Sequence, residues 1–473
     1  VDKSEKMKKL FETWKKRKLT IFGKTEIINT LGISKFLYVA SILPLPNENF
    51  IKGLNRTIFN FLWGTKDRIK RKTMIGKIED GGIGIVDILS KFCALKAAWI
   101  PRILKKDGHN LIYSHIDSIL KTYNVNLEYV LKMNCTDLKQ FNAYPKLPIF
   151  YREVLIYFNQ CKKNSHLQDM NKNEILQEPI WNNKLFLFKG QPIYFKNWVN
   201  NIKYVKDLFT ENGFKTIEEV SREICTNTNI LCEYKIIKTV FRYTREIIAG
   251  QESKFINIKN KRYFNFHGKY CTIDNQTCKF FYEIFVKQSF VTPKHQRFYQ
   301  LEFNIGKDMW KHIYHQKIKL AIDRNIAEFN YKLMHNLLSC RKNLFKWKKE
   351  PSEKCDICAE TEDIRHLIFD CKNVSYIWNM ASLVCKFNIK WKHVVIGFYF
   401  EFNQNTNLLN NFISFIALKI YKYKMFCRIE NFQETEVSLI NNVKKCTIFW
   451  YRTIKYSKHK LTTSLIEKFI NLL

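Results

Sequence analysis

The sequence predicts a mainly α protein laid out in four consecutive blocks, and three observations carry that reading. Apolar residues recur at three- and four-residue spacing in many runs, which is the period of one helix face. Pro44 and Pro46 follow directly on such a run, where a residue without an N–H ends a helix. Strand-like character is read in one segment, Lys269 to Phe285. There Tyr270, Thr272 and Ile273 precede Asp274-Asn275-Gln276 and an aromatic run, the pattern of one hairpin.

In chain order, Met7, Leu10, Phe11 and Trp14 mark one face of a first helix, flanked by Lys8, Lys9 and Lys15 to Lys18. A short apolar link, Leu19 to Phe22, is punctuated by Gly23. A second helix is expected from Lys24 to about Leu43, on Ile27, Ile28, Leu31, Leu37 and Tyr38. A third covers Asn49 to Trp63, with Phe50, Leu54, Ile58, Phe61 and Leu62 as its stripe. The connector Lys66 to Lys77 carries six positive charges and one acid. Asp80 to Gly84 reads as a turn, and a helix from about Val86 to Lys105 follows. From 107 to about 292 the signal weakens, with helical runs at Leu147 to Phe158, Ile217 to Cys225 and Glu233 to Ala249. Periodicity recovers in Met309 to Leu338, Val374 to Phe387, Leu408 to Phe426 and Leu465 to Leu472. The expected blocks are 1–106, 107–300, 301–400 and 401–473, without an internal repeat.

Composition excludes several classes. The chain has 473 residues, 79 Lys+Arg against 43 Asp+Glu, and a net charge of +36. With 46% hydrophobic residues it is no disordered basic tail, because such chains lack apolar area to offset ordering entropy. Fifteen Gly and nine Pro are too few for a collagen-like chain. Codon bias would raise Asn and Ile as readily as Lys, yet would not hold the acids at 43, so a polyanion partner is expected. Nucleic acid is the expected polyanion. The longest apolar stretches, such as Phe36 to Pro46 and Ile413 to Leu418, fall short of the roughly 20 residues of a membrane span, so no membrane partner is expected.

Single cysteines such as Cys93, Cys225, Cys385 and Cys427 sit between apolar residues, the usage of a reducing compartment. The start, Val1 to Lys9, has no signal-peptide core. The expectation is therefore nucleus and/or cytoplasm, not secretion. A first residue other than Met, inside a helical pattern, reads as a fragment of something longer.

One constellation carries chemistry. Cys355, Cys358, His366 and Cys371 read C-x2-C-x7-H-x4-C. Zinc takes four soft or borderline ligands in a tetrahedron, and a C-x-x-C turn aims two thiolates at one ion. Four protein ligands close the site, so the expected cofactor is structural Zn2+, with no position left for a reactive water. The acids Glu360, Glu362 and Asp363 within this loop read most simply as a solvated turn. His312 and His315 lie three apart, with no further ligand close in sequence, and Cys271 and Cys278 are not expected to bridge. Gly23-Lys24-Thr25 lacks the first glycine of a phosphate loop, since position 18 is Lys18. Gly82-x-Gly84 lacks the third glycine of a dinucleotide fingerprint, since position 87 is Asp87; both read as turns. No Asp-Asp pair exists to hold two metals for polymerase or nuclease chemistry, and no catalytic residue is assigned.

Basic residues interleave with aromatics at Trp14 to Lys18, Phe345 to Lys349 and Tyr421 to Lys424; Arg68 to Lys72 is basic with Trp63 nearby. Aromatic faces stack on unpaired bases while cations neutralise phosphates. The expected nucleic-acid contacts are Lys15, Lys16, Arg17, Lys18, Lys24, Arg68, Lys70, Arg71, Lys72, Lys346, Lys348 and Lys349.

Two motif blocks resemble a known family. Trp14 to Lys24, Lys35-Phe36-Leu37-Tyr38, Leu43 to Pro46, Phe61-Leu62-Trp63-Gly64, Gly81 to Gly84 with Asp87, and Ala97 to Ile100 are similar to the segment just after the reverse-transcriptase palm of LINE-type (non-LTR) retrotransposons. Tyr331-Lys332-Leu333 to Trp347, the Cys/His site, His366 to Cys371 and Trp378 resemble the zinc-binding domain that follows such enzymes. The blocks cover roughly 200 residues, in the family's order. The family's fingers, catalytic palm and endonuclease are not found.

The resemblance implies a thumb, a connecting region and a small zinc-binding domain. Combined with the periodicity and the hairpin read above, the expected architecture is a thumb-like helical bundle, a helical connecting region with a small β-hairpin, a small zinc-binding domain and a basic helical C-terminal tail. The resemblance further implies a non-catalytic C-terminal portion of an RNA-directed DNA polymerase. That portion would hold template RNA and primer or target DNA beside a palm and fingers supplied upstream. Two other readings are a decayed or domesticated relic acting as a zinc-dependent protein-interaction module, and a polymerase active only when its palm is present.

Overall fold

The computed structural model describes residues 2–64, 66–105, 110–122, 125–133, 144–162, 167, 170, 172–211, 213–224, 230–250, 263–266, 269–399, 404–455 and 460–473. The fold is mainly helical, with three antiparallel two-stranded ribbons among the described residues. No described helix is long and apolar enough to cross a membrane. The chain forms two compact units. One comprises 1–33, 53–86 and 289–473, the other 34–52 and 87–288. Each unit gathers separated stretches, because the apolar faces that meet are far apart in sequence; neither coincides with one of the four linear blocks.

In the first unit, Asp2–Lys15 buries Met7 and Phe11 and half-buries Leu10 and Trp14, the face its spacing predicts. Phe11 stacks on Phe61 with ring centroids 4.5 Å apart. Gly32 makes room for that ring, since a Cβ there would lie 2.7 Å from it. Gly23-Lys24-Thr25 is not a turn. It lies within the helix Ile21–Ile27, which Thr20 caps by accepting the Gly23 N–H at 3.2 Å. In this unit the helical path continues through a π-turn, Ile28–Ile33. Ser34–Ile42, which belongs to the second unit, stops before Pro44 as the prolines predict. Glu48–Trp63, of which the part from Gly53 onward belongs to this unit, buries Leu54, Ile58, Phe61 and Leu62 there. The turn at 80–84 depends on Gly82, whose Cβ would sit 2.0 Å from the Gly76 carbonyl oxygen.

The run expected from Met309 to Leu338 as one helix is three pieces: Met309–Tyr314, a π-turn His315–Lys319, and Arg324–Met334. Leu320 N–H reaches back to His315, which ends the turn, and Asp323 restarts the helix by accepting the Asn325 N–H at 2.9 Å. Helices Lys372–Cys385, Gln404–Ile429, Glu436–Lys455 and Lys460–Leu472 complete this unit. Phe415 stacks on Trp450 at 4.2 Å, and Phe412 meets Phe469 edge-on at 5.1 Å.

The second unit has an aromatic core. Phe158, on the helix Ile149–Cys161, meets Phe264, Phe266 and Phe281 edge-on at 5.4, 5.9 and 6.2 Å. Trp181 and Trp198 are fully buried against each other, 6.2 Å apart. Lys96, buried, pairs with Glu153 at 3.1 Å and lies 4.8 Å above the Phe150 ring.

Three expectations are corrected here. The hairpin pairs Tyr263–Phe266 with Lys269–Thr272, not the two halves of 269–285. The aromatic run beyond it is the helix Cys278–Ser289, whose buried Phe281 and Phe285 are four apart. The expected 86–105 helix is two, Ile88–Ala97 and Trp99–Leu104, because Pro101 has no N–H to continue the first ladder. Likewise 233–249 divides into Leu231–Val240 and Arg242–Gly250 at the buried Phe241. Cys225, at the end of another expected helix, lies outside the described residues.

Candidate metal centre and basic surface

The cluster is assembled by a β-bridge, a left-handed residue and a π-turn. Lys354 and Thr361 pair antiparallel, and the Cys355 N–H donates to the Glu360 carbonyl at 2.8 Å. Ala359 takes φ +57, which folds the Cys355–Cys358 loop back on itself. His366–Asp370 forms a π-turn closed by the Cys371 N–H on the His366 carbonyl at 3.0 Å. Trp378 locks that turn by donating its indole N–H to the Ile368 carbonyl at 2.9 Å. Cys371 is then the cap of the Lys372–Cys385 helix and is fully buried.

The ligand atoms of Cys355, Cys358, His366 and Cys371 all lie within 4.8 Å of one another. The sulfurs of Cys358 and Cys371 are 3.8 Å apart, and those of Cys355 and Cys371 4.0 Å. Tetrahedral zinc with bonds of about 2.3 Å has sulfur–sulfur edges of about 3.8 Å, whereas a disulfide would draw them to about 2.05 Å. His366 Nδ1 lies 3.2 Å from the Glu360 carboxylate, while its Nε2 is buried without a hydrogen-bond partner. That is the arrangement of a metal-binding imidazole, oriented by a carboxylate on one nitrogen and free to ligate with the other. The residues present fit a four-coordinate Cys3His site.

The surroundings treat the thiols unequally. The hydrogen bond with Cys355 holds the Cys371 sulfur below the usual thiol range, with help from Lys424; the same bond, then burial, pushes Cys355 up to about 12. The Lys372 N–H donates to the Cys358 sulfur at 3.4 Å. Lys424 is buried, which opposes its charge, yet Glu434 at 3.3 Å and Cys371 hold its pKa above the ordinary lysine value.

The acidic cluster is not a solvated turn. Glu362 is buried and accepts from Arg428 at 2.7 and 2.9 Å and from the Arg341 N–H at 2.9 Å. Asp363 accepts the His366 N–H at 2.8 Å, and Glu360 orients His366. The Gln404–Ile429 helix thus supplies Lys424 and Arg428 to the knuckle. Sequence reading missed both, and Lys424, placed in a basic-aromatic patch, is instead a buried ion-pair partner. No local spacing signals them, since Arg428 is 66 residues from Glu362. His312 and His315 join no metal-binding group among the described residues.

The expected nucleic-acid contacts all fall in the first unit. Lys15, Lys16, Arg17 and Lys18 are exposed; Arg17 lies 4.5 Å over Trp14, and Lys15 pairs with Glu12 at 2.5 Å. Lys24 is half-buried, donates to the Leu62 carbonyl at 3.1 Å, and has its pKa lowered chiefly by burial. Arg68, Lys70, Arg71 and Lys72 are exposed, although Arg71 is bound to Asp67 at 2.7 Å and lies over Phe59. Lys346, Lys348 and Lys349 are exposed.

No curated protein matches the chain. Residues 277–378, which include all four candidate ligands, match the family model described as zinc-binding in reverse transcriptase, and that match supports a reverse-transcriptase-related protein with a zinc-binding region.

Proposed function

We propose that this chain is the non-catalytic C-terminal portion of a LINE-type (non-LTR) retrotransposon reverse transcriptase, binding template RNA and primer or target DNA beside a palm supplied from outside these residues. Cys355, Cys358, Cys371 and His366 Nε2 would hold zinc, which would supply a structural cross-link. The thumb-like helices of 1–43 would track a template–primer duplex by its backbone, using Lys15, Lys16, Arg17, Lys18 and Lys24, and the protein would work as a ribonucleoprotein in nucleus and/or cytoplasm.

The observation that carries this reading is one compact unit combining the Cys3His cluster with the exposed cations of 15–18, 68–72 and 346–349. Two measurements test it. Atomic emission should find about one zinc per chain. RNA affinity should fall with salt along a log–log slope of roughly −3 or steeper, at about 0.7 to 0.9 per neutralised phosphate. A flat plot would sink the nucleic-acid part.

A second reading, a zinc-dependent protein-interaction module, is favoured by one feature. Phe426, Ile429, Phe432 and Val437 stand exposed about the turn joining two C-terminal helices, with Glu430 and Glu436 beside them in sequence. It requires zinc without appreciable nucleic-acid affinity, which the salt titration separates.

A further inference from the structure

Residues 341–349 carry five cations and no acid. The helix Arg341–Lys346 ends in a defined stop. Lys349 N–H reaches the Leu344 carbonyl at 2.9 Å, Lys348 N–H reaches Phe345 at 2.9 Å, and Lys348 takes φ +57. These are the two bonds and the left-handed residue of a Schellman turn. Glycine is the unstrained choice at such a position; here it bears a lysine, which keeps a cation at the helix end.

The turn leaves Phe345 47% and Trp347 46% exposed, two residues apart. No other aromatic ring packs on either among the described residues. Lys342, Lys346, Lys348 and Lys349 are exposed and form no ion pair among the described residues. Arg341 is differently employed. It forks onto Asp356, within the C-x2-C loop, and donates to the Lys354 carbonyl at 3.1 Å. Its backbone N–H and that of Lys342 go to Glu362 at 2.9 and 3.0 Å. The segment is therefore clamped to the knuckle, while its rings and lysines face outward.

We propose that Phe345 and Trp347 form a stacking platform for unpaired bases of single-stranded nucleic acid, with Lys342, Lys346, Lys348 and Lys349 on its phosphates. The inference rests on the nucleic-acid reading above and names the form of ligand at this site. An exposed aromatic face among cations suits a base with a free π-face, and paired bases within a duplex have none to offer. An acidic polypeptide would satisfy the lysines but leave the rings in water.

The test uses the full, zinc-replete chain and four probes: short oligouridylate, short oligothymidylate, a blunt duplex and polyglutamate. Anisotropy reads affinity, and a 2-aminopurine base within the single strands reads stacking. Phe345→Ala with Trp347→Ala is expected to weaken both single strands by roughly ten- to a hundredfold, abolish the 2-aminopurine response and leave duplex binding within about twofold. Phe345→Tyr with Trp347→Phe, which keeps two aromatic faces, should bind like the parent and controls for folding. A weaker effect on one strand than the other identifies RNA or DNA as the preferred source. If the parent binds strands and duplex but the alanine pair changes neither affinity nor fluorescence, the platform is overturned while the nucleic-acid reading stands. Equal losses on strands and duplex, or polyglutamate binding as tightly as the strands, overturn it too. If the parent binds no nucleic acid, both fail together.

Discussion

The knuckle at 353–371 and the core of the second unit are held by opposite kinds of force. In the knuckle the decisive groups are polar: three sulfurs and an imidazole within 4.8 Å, Glu362 on Arg428, Arg341 on Asp356, and Lys424 between Glu434 and Cys371. In the second unit Phe158, Phe264, Phe266, Phe281, Trp181 and Trp198 are buried against one another and their neighbours. Apolar burial is non-directional and accumulates over many side chains. A ligand cluster is directional, and it loses most of its worth when one ligand or the ion is removed. The same chain therefore contains one region that degrades gradually and one that fails at once.

Metal removal should expose this contrast most strongly. A bound structural zinc contributes on the order of 10 kcal/mol to local folding. Chelation, or Cys355→Ser with Cys358→Ser, is expected to abolish amide-exchange protection across Cys355 to Cys371 and leave the second unit's core amides protected. Equal loss in both regions would show that they are not separately held. Unchanged protection in the knuckle would remove the metal from the account of its stability.

The next effect is the reverse case. Phe158→Ala deletes the ring that three others touch, and a buried Phe→Ala change costs about 3–5 kcal/mol. The loss should appear in urea unfolding of the second unit and in exchange at Tyr263–Phe266 and Cys278–Ser289, with the same size in the presence of chelator. A chelator-dependent cost would show that the knuckle and the second unit's core are not separately held.

The difference in forces also explains what the sequence disclosed. The Cys3His cluster was legible because its spacing is local: two residues separate Cys355 from Cys358, and four separate His366 from Cys371. The helical faces of 2–15 and 48–63 were legible for the same reason. The hairpin was misplaced because Asp274-Asn275-Gln276 looks like its turn. The spacing of Phe280, Phe281, Ile284 and Phe285 is helical and marks the segment beyond as a helix. Phe158's partners and the Glu362–Arg428 pair were not legible, since tertiary contacts between distant positions leave no periodic trace. Glu362 looked like a solvated acid for that reason alone.

Lys317 sharpens the comparison by combining both regimes in one side chain. It is 1% exposed, donates to the Val394 carbonyl at 2.9 Å and the Ser414 hydroxyl at 2.7 Å, and forms no ion pair among the described residues. Burial pushes its amine down from 10.5 to about 7. Between those two values the unfolded chain holds a proton that the folded chain has lost. Stability therefore rises as pH increases from about 7 to about 10.5, and is flat with respect to this group below that window. Each pH unit within it contributes about 1.4 kcal/mol. Lys317→Met should remove the slope. Its net gain at neutral pH is smaller than the slope alone implies, because the Val394 and Ser414 oxygens lose their donor at a cost of about 1–3 kcal/mol. The decisive observable is thus the pH dependence of the first unit's urea midpoint, not its value at one pH. A variant that keeps the parent's slope would mean that Lys317 stays charged in the folded protein, compensated by its two oxygen acceptors.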